Sequence, residues 1–123
     1  MLTLFGKFCR KLRIDNGELL KEMADKLNVT SSYLSAVETG KRNIPHDWLE
    51  KITNLYELDI EQVEKLKSAI EGSQLSVKID LQEASSKDRN LVMSFAREFK
   101  ELDENEKSKI WNILQRRNAG EVD

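Results

Sequence analysis

Over its first 70 residues the chain repeats a helical apolar stripe in short segments, each separated from the next by turn chemistry. Phe5, Phe8, Cys9 and Leu12 occupy positions i, i+3, i+4 and i+7 of the first segment. Asp15-Asn16-Gly17 then supplies a turn. Leu20, Met23, Ala24 and Leu27 repeat the stripe on a shorter helix, followed by Asn28, a residue type that tolerates the left-handed end of a helix. Thr30 reads as the N-cap of a third helix with Leu34 and Val37 on its inner face. Gly40 ends that helix, since glycine enters positive φ without steric cost. The loop Lys41-Arg42-Asn43-Ile44-Pro45 leads into a fourth helix with Leu49, Ile52 and Tyr56 inward, and His46 reads as its weak cap. Asp59 and Gln62 are spaced as a capping pair for a fifth helix carrying Ile60, Val63, Leu66 and Ile70.

The period changes after Gly72-Ser73. Leu75, Val77, Ile79 and Leu81 alternate with polar residues, which predicts a half-buried strand over 75–82. No second strand pattern accompanies it. Such a strand either pairs with another molecule or is an extended linker whose apolar side lies on helices. After Ser85-Ser86 the helical period returns through Phe95, Phe99 and Leu102, and Asp103 to Glu106 is a second capping pair ahead of Ile110, Trp111, Ile113 and Leu114. The expected fold is therefore all-α. A five-helix domain over 1–72 precedes a short strand or extended segment and a helical hairpin over 73–118, and 119–123 reads as a mobile tail.

Composition removes several classes of function. The 123 residues hold one Cys and one His, so neither a disulfide framework nor a Cys/His zinc site can form. Cys9 lies in an apolar stripe and His46 in a loop. With no nucleophile, base and orienting group to assemble, neither catalysis nor a cofactor is expected. No apolar run approaches a membrane span, and the first residues lack the order of a signal peptide, so the expected setting is cytoplasmic. The net charge of −2 gives no general basic footprint. Residues 1–58, however, carry 9 Lys+Arg against 8 Asp+Glu, with positive charge gathered at Lys7, Arg10, Lys11 and Arg13 and again at Lys41-Arg42.

Two short helices joined by a few residues, the second opening on small polar side chains, describe a helix-turn-helix. Leu20 to Arg42 fits that description. Ala24 is small where the helices cross, Val29 plugs the core between them, and Ser31, Ser32, Tyr33, Ser35 and Ala36 point away or along the flank. The combination of Ala24, Val29, Tyr33-Leu34-Ser35, Glu38, Gly40-Lys41-Arg42 and Pro45 resembles the lambda-repressor-like (XRE or Cro type) helix-turn-helix transcriptional regulators, over roughly residues 5–70.

The resemblance implies a third helix that enters the major groove of double-stranded DNA. Thr30, Ser31, Ser32, Tyr33 and Ser35 would then contact bases, and Lys41, Arg42 and Asn43 phosphates. Family members often hold a further phosphate at the start of the second helix. Leu19 and Leu20 stand there in this chain, and Lys21 is a partial substitute. Regulators of this type read palindromic half-sites as dimers. Residues 73–118 offer material for a homodimer or a protein partner, with Val77, Ile79, Leu81, Phe95, Phe99 and Trp111 as contacts. The implied function is a dimeric repressor of its own or a neighbouring operon. The alternative is an antitoxin that represses through the same helix and neutralises a partner protein through residues 73–118.

Overall fold

The structure, a computed structural model, describes residues 1–120. It divides into two units, Met1–Lys78 and a second that begins at Ile79. Helices α1 (Leu4–Asp15), α2 (Leu20–Lys26), α3 (Ser31–Glu38), α4 (Trp48–Leu55) and α5 (Ile60–Glu71) belong to the first. Their ends follow local chemistry. The Thr3 hydroxyl accepts from the Gly6 N–H at 3.1 Å and caps α1. Asn28 and Gly40 take the left-handed backbone expected of them, with φ of 61° and 79°. Asp59 and Gln62 form a reciprocal capping box at α5. At α4 the expected His46 cap is not used. The helix begins after Asp47, whose side chain makes no capping bond.

The apolar stripes meet in one core. Phe5, Cys9 and Leu12 of α1 lie against Met23 and Ala24 of α2, Leu34 and Val37 of α3, Trp48 and Ile52 of α4 and Leu66 of α5. Phe5 and Trp48 face each other with ring centroids 6.1 Å apart. Each large side chain withdrawn fully from water contributes about 1.5–3 kcal/mol. Burial and the nearby Glu38 raise the Cys9 thiol far above its ordinary pKa, so it stays protonated and packs as a small apolar group. Ile60, the first apolar position of the fifth stripe, is exposed.

The segment 75–82, expected as a strand or an extended linker, joins no ladder: among the described residues there is no strand. An isolated strand has no partner for its backbone groups. Here side chains substitute in part: the Leu75 N–H donates to Asn43 Oδ1 and the Gln82 N–H to Asp80 Oδ1, both at 2.9 Å. Nor does the apolar side of the segment find cover, as Val77 remains 86 % exposed.

The second unit holds α6 (Ser86–Glu98), a 3-10 turn (Phe99–Glu101) and α7 (Glu104–Gly120). Phe95 and Phe99 sit 5.6 Å apart, and the Lys107 ammonium lies 5.3 Å from the Phe99 ring centre. Of the stretch 119–123 read as a mobile tail, residues 119 and 120 continue α7. Residues 121–123 lie outside the described residues.

Candidate nucleic-acid interface

The turn between α2 and α3 is set by Asn28 and by a Val29 N–H that donates to the Ala24 carbonyl at 3.0 Å. Helix α3 buries Leu34, Val37 and Glu38, which turns Ser32 and Ser35 to solvent. Ser31, Ser32 and Ser35 line a shallow open groove with Ala36 and Thr39, bounded by Leu20 of α2 and by Lys41. Hydroxyls both donate and accept, so this surface can meet base edges of either hydrogen-bonding sense. Thr30 stands at the helix start with its oxygen occupied, accepting from the Tyr33 N–H at 3.0 Å.

Beyond α3, Gly40 turns the chain so that the N–H groups of Lys41 and Arg42 both donate to the Ala36 carbonyl, at 2.8 and 3.3 Å. Both cationic side chains are exposed. The Arg42 guanidinium lies 5.8 Å from the Tyr33 ring centre, and that ring meets Trp48 edge-on at 6.1 Å. Half-buried Tyr33 is thus a shelf that carries Arg42. Asn43 is engaged elsewhere: its carboxamide donates to Ser76 Oγ at 2.9 Å and accepts from Leu75. Lys21 is exposed on α2. The structure therefore gathers Ser31, Ser32, Ser35 and Lys41 in one groove and pairs Tyr33 with Arg42.

Charge around this surface is more structured than its count suggests. Arg13 is not part of a solvated basic face. It is buried, and Nη1 and Nη2 donate to the two Glu38 carboxylate oxygens at 2.6 and 3.1 Å. Burial alone would lower the Arg13 pKa, but the bonds to Glu38 outweigh it and the group stays charged. Lys11 pairs with Asp15 at 3.1 Å, while Lys7 and Arg10 face solvent. At the start of α2 the Glu22 carboxylate accepts from the Leu19 N–H at 2.9 Å, placing negative charge where a phosphate would otherwise approach.

Glu18 anchors the far side of the motif. Its side chain, 6 % exposed, pairs with Lys26 of α2 and accepts from the Tyr56 hydroxyl at the end of α4. Burial pushes the Glu18 carboxyl up, but the bonds from Lys26 and Tyr56 outweigh it and hold the pKa below its ordinary 4.5. A carboxyl depressed in the folded state adds stability that is full above its ordinary pKa and is lost as pH falls through the folded value. Urea unfolding should therefore show wild type losing more stability than Glu18→Gln between neutral pH and about pH 3. Equal losses would remove this role for Glu18.

Of the candidate interface residues in the C-terminal region, Val77, Ile79, Phe95 and Phe99 are exposed and Trp111 is 61 % exposed. Leu81 is half-buried, and its carbonyl accepts from Arg89 at 3.0 Å. Among the described residues no cluster of His, Cys, Asp and Glu is placed to hold a metal ion, and no helix is long and apolar enough to cross a membrane.

Sequence reasoning missed Thr39 and Leu20 as groove residues, and it missed the role of Arg13. The last had a signal. Phe5, Cys9 and Arg13 are spaced by four, which places the arginine on the buried stripe. A family model described as a helix-turn-helix domain matches residues 4–66. No curated protein and no solved structure matches the chain.

Proposed function

The chain belongs to the helix-turn-helix domain family, and on that premise we propose that it is a dimeric, sequence-specific repressor of its own or a neighbouring operon. The observation that carries this reading is the open hydroxyl groove of α3, bounded by Lys41 and flanked by the Arg42 guanidinium on Tyr33. Ser31, Ser32 and Ser35 would read bases, while Lys41 and Arg42 would hold phosphates and set register. A single reading helix spans too few base pairs for selectivity, so the second unit is assigned the contacts of a two-fold dimer on palindromic half-sites.

Electrophoretic shift on the upstream region of the gene tests the assignment. Arg42→Ala should weaken binding to every sequence and reduce the salt slope by about one. Ser32→Ala should instead change the preference among operator variants at one base step, by about 1–3 kcal/mol. If wild type and both variants bind alike, α3 and its loop are not the reading surface.

The uncovered aromatic cleft of Phe95, Phe99, Leu102 and Trp111 favours a second reading, an antitoxin whose second unit takes up a partner protein. In that case co-expression with the neighbouring gene product yields a stoichiometric complex and relieves toxicity.

A further inference from the structure

Among the described residues from 79 to 118 none is buried, and on α7 Ile113 is exposed and Ile110 only half-buried. A helical hairpin that removes so little surface from water gains too little to offset its lost chain entropy. Its exposed face therefore needs a cover. We propose that the cover is a second copy of the chain, with α7 running antiparallel to α7 along Glu106, Ile110, Ile113 and Arg117. This rests on the dimer reading above and names the contact that reading leaves open.

The four positions are i, i+4, i+7 and i+11, which share one face of a helix. The stripe is self-complementary. Read forward it runs acid, Ile, Ile, base with gaps of four, three and four; read backward the gaps are the same and the charges exchange. A two-fold axis passing between Trp111 and Asn112 sets Ile110 of each copy on Ile113 of the other and Glu106 on Arg117. Parallel pairing would instead set Glu106 on Glu106 and Arg117 on Arg117, which repel.

The acidic end is already oriented. Glu106 Oε1 accepts from the Asp103 N–H at 3.0 Å while the Glu106 N–H donates to Asp103 Oδ1 at 2.7 Å. This capping box holds the carboxylate at the first turn of α7 and leaves its other oxygen without a hydrogen bond among the described residues. Ile113 is exposed and Ile110 half-buried on the stripe between the two charges. Neighbouring Arg116 lies about 100° around the helix from Arg117 and off the stripe.

Analytical ultracentrifugation of the full chain tests the proposal with three variants. Arg117→Glu brings like charges together twice in the dimer and should raise its dissociation constant about tenfold or more. Adding Glu106→Gln, which keeps the capping bond but removes the repulsion, should recover most of that loss. Arg116→Glu makes the same charge change at the same helix end and should leave the constant within about twofold. A wild-type dimer unmoved by Arg117→Glu, or weakened equally by Arg116→Glu, overturns the α7 contact and leaves the dimer reading standing. A wild-type chain that is monomeric up to tens of micromolar overturns both.

Discussion

Glu38→Ala should lower the thermal midpoint of the full chain by roughly 15 °C or more. The substitution leaves the Arg13 guanidinium in the core with neither carboxylate oxygen to accept from it. Breaking a buried pair by removing one partner costs about 3–5 kcal/mol, a large share of the total stability of a small domain. Met23 sulfur, 3.2 Å from Arg13 Nη1, is too weak an acceptor to compensate. The effect reaches the open groove of α3, because Glu38 ends α3 just before Gly40, Lys41 and Arg42. Replacing both partners, as in Arg13→Met with Glu38→Leu, should cost far less, since an apolar pair of similar volume needs no hydrogen bonds. Differential scanning calorimetry of the single and double variants separates the cases. A single variant that melts with wild type would show that the pair contributes nothing.

Gly6→Ala should be comparably disruptive, against the ordinary expectation that alanine favours a helix interior by about 1 kcal/mol. A Cβ at Gly6 would lie 2.2 Å from the Glu38 carbonyl oxygen and 3.0 Å from its carbon. Those are backbone atoms, so α1 and α3 must separate. Overpacking by a single methyl commonly costs about 1–3 kcal/mol, and here separation also strains what joins the two helices. The Thr3 N–H and hydroxyl both donate to that same carbonyl at 3.0 Å, and the Arg13 pair spans the other end of α1. Gly72→Ala is the matched control. Its Cβ meets the tip of the Leu4 side chain at 3.1 Å, which can rotate away. Chemical denaturation should show Gly6→Ala markedly destabilised and Gly72→Ala close to wild type; equal midpoints would mean that α1 and α3 can part without cost.

The two residues explain how α3 is held against α1. Glu38 uses its carbonyl to fasten the start of α1 and its carboxylate to fasten the end, so the last residue of α3 is tied to both ends of α1. The outer surface of α3 stays free for the groove hydroxyls. For the proposed function, rigid placement of that surface would matter because a base contact loses most of its discrimination when the donor is free to wander.

Residues within four positions of one another were legible from the chain. Thr30, Asn28, Gly40, Asp59 with Gln62 and Asp103 with Glu106 act on their own turn of helix, and each does in the structure what its chemistry requires. The stripes through Phe5 and Cys9, Met23 and Leu27, and Leu34 and Val37 likewise identify the buried faces. That is enough to recognise the helix-turn-helix and to place Ser32 and Ser35 outward. Arg13 shows where this stops. Its charge grouped it with Lys7, Arg10 and Lys11, and only a carboxylate 25 residues away makes its burial possible. Gly6 is similar, since nothing near it in sequence reveals a carbonyl from α3 where a Cβ would be. The alternation over 75–82 left strand and linker open for the complementary reason: period two encodes which side chains share a face, but a strand exists only where another strand accepts its backbone bonds. Local capping and periodicity are written in contiguous residues and determine the helices of this protein. The partner of a buried charge, the closeness of two helices and the use of Asn43 to hold Leu75 and Ser76 are decided only when distant segments meet.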